Sequence, residues 1–341
     1  MSAAAYTVRT LLGRAVRASA AWPPAVAVLV IAVLAAVVAF HAPSALAAAG
    51  VLGDAHPGWL VLLFALAAAG PLLHGGLLRA GQATVGVRFG RWEAIRLAAG
   101  IHAANLAVKT AGAAGLAVLL VGHRDPSIGG AARSAAYVLG RVVAHVCFAV
   151  VVTVALVLVA VEGHVSRLVI AGGVLFLASC VAHVAALWVA ACHPRRLPRW
   201  RRLDPLRAHA PAFAAALQGA AAHPRPLLRI AGWALVLDVV RIAWLWVALH
   251  AVGAPTSPDT AFESYGVVAL LGTVSVLPAG LGAIDAGLVA TLHHSGTTIG
   301  AAVAAVLLFR VAELWVPLFA GARPALAALR LRLAAVPAPA S

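Results

Sequence analysis

Apolar runs as long as a bilayer is thick recur along this chain, and no other feature limits its fold so strongly. They cover Trp22 to Phe40, Trp59 to Leu78, Tyr137 to Val161, Leu168 to Ala191, Leu227 to Val252 and Ile299 to Phe319. A helix needs about 20 residues to cross a hydrocarbon core of about 30 Å. Lipid offers no partner to backbone N–H and C=O groups, so each run must satisfy its own as a helix. With 63% hydrophobic and 10% charged residues, the chain is expected to be an all-α polytopic membrane protein, not a water-soluble one.

The formal net charge of +15 raises nucleic acid as a partner. The arginines, however, cluster in short loops beside apolar runs, the pattern that holds loops on the cytoplasmic side. No nucleic-acid partner is expected. Cys147, Cys180 and Cys192 lie in or at the ends of apolar runs without paired spacing, and read as small buried hydrophobes. Lys109 is the only lysine, a bias toward arginine and alanine that suits a GC-rich, bacterial genome.

Arg9, Arg14 and Arg17 precede the first run and place the N-terminus in the cytoplasm. Small residues Ala45 to Ala49 follow it, so either a cleaved signal peptide or a retained span fits; the length of the run favours retention. The loop from His41 to Gly58 holds Asp54 and no Lys or Arg, as an outside loop should. Arg79, Arg88, Arg91 and Arg96 set the next loop inside, and the basic stretch from Arg195 to Arg207 is inside as well. Two spans separate that stretch from Arg133, which is then inside too. Ile95 to Val121 therefore enters and leaves on one face, a re-entrant hairpin.

The second half repeats this upside down. Pro255 to Glu263 carries only acids and is outside, while the last span must start outside to end at the basic Arg323, Arg330 and Arg332. Tyr265 to Leu292 is then a second hairpin from the opposite face, broken at Pro278, Gly280 and Gly282. The expected architecture is about six full spans plus two re-entrant hairpins in two inverted halves, a plan many secondary transporters share. Two short crossings or a kinked span in place of each hairpin is the alternative. The expected divisions are 1–58, an N-terminal segment with the first span and outside loop; 59–325, the main transmembrane domain, with a cytoplasmic basic loop at 192–229; and 326–341, a short cytoplasmic tail. A short helix is expected from Ala212 to Ala222 within that loop.

Lys109 and Asp285 are the ionisable groups at the two broken centres. Meeting tip to tip, they would pair, or would flank a substrate head group; we expect a pair at rest that opens during transport. Asp238 with Arg241, and Arg310 with Glu313, share an i, i+3 spacing that lets neighbours neutralise each other, so a self-satisfied pair and a substrate role are both open. Arg141 has no acid in its own span. Its fork of donors needs an anion or a polar cavity, and phosphate suits it. His102, His145 and His183 form no ligand-like cluster, so neither a metal nor another cofactor is expected. No nucleophile triad or phosphate-cradling loop is visible, and the chain is not expected to be an enzyme. Trp22, Trp59, Trp188 and Trp315 read as anchors at span ends.

With Asn105 followed by Gly112 and Gly115, Arg141 early in the next span, Leu277-Pro278-Ala279-Gly280-Leu281-Gly282, and Arg310 followed by Pro317 and Gly321, the chain resembles the flippase-like transmembrane region of lysylphosphatidylglycerol synthases. The resemblance covers roughly Trp59 to Arg323. Two positions depart from it: Asp285 stands where that family usually has Glu, and Lys109 where proline is common. Only a short stretch follows the last span here, so no counterpart of the soluble aminoacyl-transferase domain is expected. The resemblance thus implies movement of lipid or lipid-linked carriers, not lipid aminoacylation.

The expected function is translocation of an anionic amphiphile, a phospholipid or a polyprenyl-phosphate-linked carrier, between leaflets of the cell membrane. Arg141, Arg241 and Arg310 would hold the phosphate, with Asn105, Gly112, Gly115, Pro278, Gly280 and Gly282 letting backbone approach the head group and Lys109 and Asp285 shaping a gate. Membrane lipids with anionic head groups are the expected partners. Rival readings are a small-solute or ion-coupled transporter on the same architecture and a non-catalytic membrane partner of a glycosyltransferase.

Overall fold

The structure, a computed structural model, describes residues 42–107, 112–122, 128–161, 173–182, 184–185, 204–254, 256–274, 282–322 and 324. Every described element is a helix. In chain order these are α1 (Ala42–Gly53), α2 (Pro57–Ala83), α3 (Arg91–Ala107), α4 (Ala113–Gly122), α5 (Gly130–Val161) and α6 (Gly173–Ala182). Then follow α7 (Asp204–Ala221), α8 (Pro224–Ala251), α9 (Pro258–Val274), α10 (Ala283–His294) and α11 (Ile299–Ala322).

Four of these, α2, α5, α8 and α11, are long and apolar enough to cross a membrane. At 1.5 Å per residue the 27 residues of α2 reach about 40 Å, more than the core thickness, so tilting is built in. Their outward faces carry large apolar side chains: Val61 is 70% exposed and Val239 63%. In water such a surface would be a liability, and in lipid it is the expected face. The protein is a multi-pass membrane protein. The expected first span, Trp22 to Phe40, lies outside the described residues, as does most of Leu168 to Ala191 beyond α6.

The centre is one apolar cluster in which α8 and α11 meet α1, α2 and α10. Trp244, Leu245, Leu249, Leu288, Leu292 and Phe309 are fully buried there. Ala48 of α1 is buried in the same cluster, so the stretch between His41 and Gly58 is a packed helix where a loop was expected. A second cluster joins α2, α3 and α4 through Leu78, Val87, Leu97, Ile101 and Leu119. The helix expected at Ala212 to Ala222 is longer, and α7 lays Leu217 and Ala220 against Ala135 and Leu139 of α5.

The two broken stretches are two pairs of short helices. Within each pair, α3 with α4 and α9 with α10, the helices pack on each other. Gly112 opens α4 at φ +94° and Gly282 opens α10 at φ +84°, backbone that a side chain rarely adopts. Pro278 and Gly280 lie outside the described residues.

Arg133, placed on the cytoplasmic side from sequence, is a buried residue in the first turn of α5. Its Nη2 donates to the Leu119 carbonyl at 2.9 Å, closing the end of α4, and its own carbonyl accepts from Gln82 Nε2 at 3.0 Å. One arginine thus ties α2, α4 and α5 together.

The last span is not a uniform α-helix. Val311–Trp315 winds as a π turn, with the Val316 N–H bonding back to the Val311 carbonyl. Pro317 supplies the cause: it has no N–H for the Glu313 carbonyl four residues before it, and its ring crowds that carbonyl. Further along, a Cβ at Gly321 would overlap the Ala99 carbonyl of α3, so α11 and α3 touch backbone to backbone there. Gly321→Ala should destabilise the protein by about 1–3 kcal/mol by forcing these helices apart, readable as a lower melting temperature in detergent.

Candidate functional site

A cavity of about 360 Å³ lies between α2, α3, α5 and α8. That is within the roughly 300–1,000 Å³ of typical small-molecule sites. Its polar groups are His74 and Gln82 from α2, His102 and Asn105 from α3, Tyr137, Arg141 and His145 from α5, and Asp238 with Arg241 from α8. Three residues singled out from sequence, Asn105, Arg141 and Arg241, therefore share one chamber although they come from three helices.

Arg241 Nη1 lies 3.4 Å from Asp238 Oδ1, a long contact along one helix face. Tyr265 of α9 lies near the same guanidinium. Arg141 is exposed, and among the described residues no carboxylate lies within ion-pairing distance of it. Asp238 is the one acid among the residues lining the cavity, against two arginines. The chamber has the charge to receive an anion.

Asn105 does more than line the wall. Its Oδ1 accepts from the Gly115 N–H at 2.9 Å and its Nδ2 donates to the Tyr137 hydroxyl at 3.1 Å, which donates to the Gly112 carbonyl at 3.2 Å. A side chain at Gly115 would overlap Asn105 and Tyr137. The Asn-Gly-Gly pattern is thus a clasp that fixes the start of α4 against α3 and α5, beside Arg141. Asn105→Ala should cost about 1–3 kcal/mol, because it orphans the buried Gly115 N–H and takes a donor from the Tyr137 hydroxyl, and Gly115→Ala should open the same clasp. Melting temperatures of both variants in detergent check this.

Arg310 stands elsewhere. Its Nε donates to Asp285 Oδ1 at 2.5 Å and its Nη1 to Glu313 Oε2 at 2.8 Å. The guanidinium side chain is 8% exposed and the two carboxylates 30% and 26%. Asp285 also caps its own helix, Oδ2 accepting from the Gly282 N–H at 2.8 Å. The π turn carries Glu313, and Glu313 is near enough to act on the charge of Arg241. Arg310 is therefore held by two carboxylates and does not line the cavity. The described partner of Asp285 is Arg310; Lys109, with which a pair was expected, lies outside the described residues.

Three cavity groups were missed in the sequence. His74 Nδ1 donates to the Gly70 carbonyl at 2.9 Å, and its ring packs on His102 at 4.2 Å between centroids. Gln82 and Tyr137 complete the set. An imidazole and an amide inside an apolar run were the available signals. His183, also noted from sequence, lies outside the described residues.

A family model described as the lysylphosphatidylglycerol synthase TM region matches residues 21–321. The chain belongs to this family. The match to the lysylphosphatidylglycerol synthase TM region takes in every described helix but the last residue of α11 and includes all the cavity and ion-cluster residues above. A search of curated proteins finds no match to the chain.

Proposed function

We infer that the protein moves an anionic amphiphile between membrane leaflets, with the head group passing through the cavity of Arg141 and Arg241. The observation that carries this reading is the exposed Arg141 facing a chamber whose one lining acid is already engaged by Arg241. A guanidinium in a span is costly unless water or an anion attends it, and its fork of donors matches phosphate oxygens. Membership of a family named for a lipid synthase's transmembrane region supports lipid over a small solute. Phospholipid and polyprenyl-phosphate carriers share the relevant head-group chemistry.

The inverted-repeat plan belongs to the same proposal. Two pairs of short helices, α3 with α4 and α9 with α10, each opened by a positive-φ glycine, would be the hairpins, within a plan of about six full spans. In that plan Asp259 and Ser295, both exposed, face outside, while Arg88 faces the cytoplasm. Cysteines placed at 259 and 295 should react with an impermeant reagent from the same, outer side of sealed cells. Reaction from opposite sides would remove the second hairpin.

The protein then acts without covalent chemistry, in the cell membrane, with membrane lipids as its partners and its N-terminus in the cytoplasm. In proteoliposomes a fluorescent anionic phospholipid should change leaflet faster than in protein-free vesicles, and a zwitterionic one should not. Equal rates with and without protein would end the reading.

A further inference from the structure

An apolar groove of about 660 Å³ runs along the outer face of α5 against α6. Val146, Ala149, Val150 and Val154 form one wall, and Leu177 and Val181 stand on the other. The head-group cavity uses the adjacent face of the same helix, at Ala144, His145 and Phe148. Consecutive residues of α5 thus serve a polar chamber on one side and an apolar slot on the other.

Phe148 stands between them. Its ring lines the cavity, meets Tyr265 edge-on at 6.1 Å, and meets Phe176 of α6 edge-on at 5.7 Å. Phe148 and Phe176 pack with Cys180, which lines the groove. Tyr265 in turn is the residue beside Arg241. The aromatic pair Phe148 and Phe176 therefore stands between the polar cavity and the apolar slot.

We propose that the α5–α6 groove holds an acyl chain of the translocated glycerophospholipid while its head group enters the cavity, and that Phe148 is the gate between the two. The proposal rests on the head-group reading above. The slot is walled by short, mostly β-branched or small side chains without aromatics, which suits a straight, unbranched chain. Phe148 is the cavity-lining residue whose ring packs with Phe176 of α6 behind the groove, so it stands on the path between chamber and slot. Thr153 bonds its hydroxyl to the Ala149 carbonyl at 2.7 Å, so even the polar residue of the groove presents little polarity to a chain.

The test uses the full chain in phosphatidylcholine vesicles with two probes, an anionic glycerophospholipid and phosphatidylcholine itself, each carrying a mid-chain diazirine. The anionic probe should label α5 and α6 peptides about tenfold more than the phosphatidylcholine probe does, while the exposed α8 face at Val236 and Val239 takes both alike. Val150→Trp should abolish that preference by filling the slot, and Phe148→Trp should slow movement of long-chain lipid by about tenfold more than it slows a short-chain analogue with the same head group. Equal labelling of the groove by both probes would show an ordinary lipid boundary and overturn the proposal. Labelling by a diazirine-bearing prenyl phosphate in place of the acyl probe would overturn the choice of chain. If wild-type protein shows anion-selective groove labelling yet moves no lipid, the transport reading fails and the groove assignment stands.

Discussion

Arg310→Gln should be the most destabilising single change in the membrane-embedded part, costing about 3–5 kcal/mol. The arginine is nearly buried and answers two carboxylates, so its removal leaves Asp285 and Glu313 facing each other without a counter-charge. Asp285→Asn should cost less, about 1.5–3 kcal/mol, because Glu313 still holds the guanidinium and the amide oxygen can still accept from Gly282. The double variant should lose less than the sum of the two, since both single changes break one contact. Thermal unfolding in detergent of the four forms reads this directly. Strictly additive losses would show that the pair carries no coupling. The same logic separates Arg310 from the cavity: its variants should lose folded protein before they lose transport per folded molecule.

Arg141→Gln should behave in the opposite way. The side chain is exposed and has no described carboxylate to orphan, so the melting temperature should stay near that of the wild type. Movement of anionic lipid should fall by about tenfold or more, the scale of a lost charge-assisted contact. Arg141→Lys should recover only part of the rate, because an ammonium lacks the planar fork.

Much of this was legible from residue types and their order. The cavity arginines announced themselves because a guanidinium inside an apolar run demands an explanation, and Asn105 with Gly112 and Gly115 marked a break in a helix. What stayed hidden depended on which distant residues meet. Asp285 was matched with Lys109, which lies outside the described residues, by symmetry between the two breaks; that the fold also brings it to Arg310, a residue already assigned to Glu313 by spacing, could not be read from the order of residues. Helix α1 was missed because an alanine-rich stretch of 12 residues between a span and a proline resembles a linker until Ala48 is seen in the core. The burial of Arg133 was hidden since loop and first helical turn read alike in arginine counts. The π turn was the least visible, though Pro317 in the last span was its signal.

The central claim is that the cavity selects an anionic head group through Arg141. The most direct measurement is the ratio of anionic to zwitterionic phospholipid movement in proteoliposomes, taken for the wild type and Arg141→Gln side by side with equal amounts of folded protein. The account predicts a ratio well above one for the wild type, falling close to one in the variant. An unchanged ratio in Arg141→Gln would contradict it.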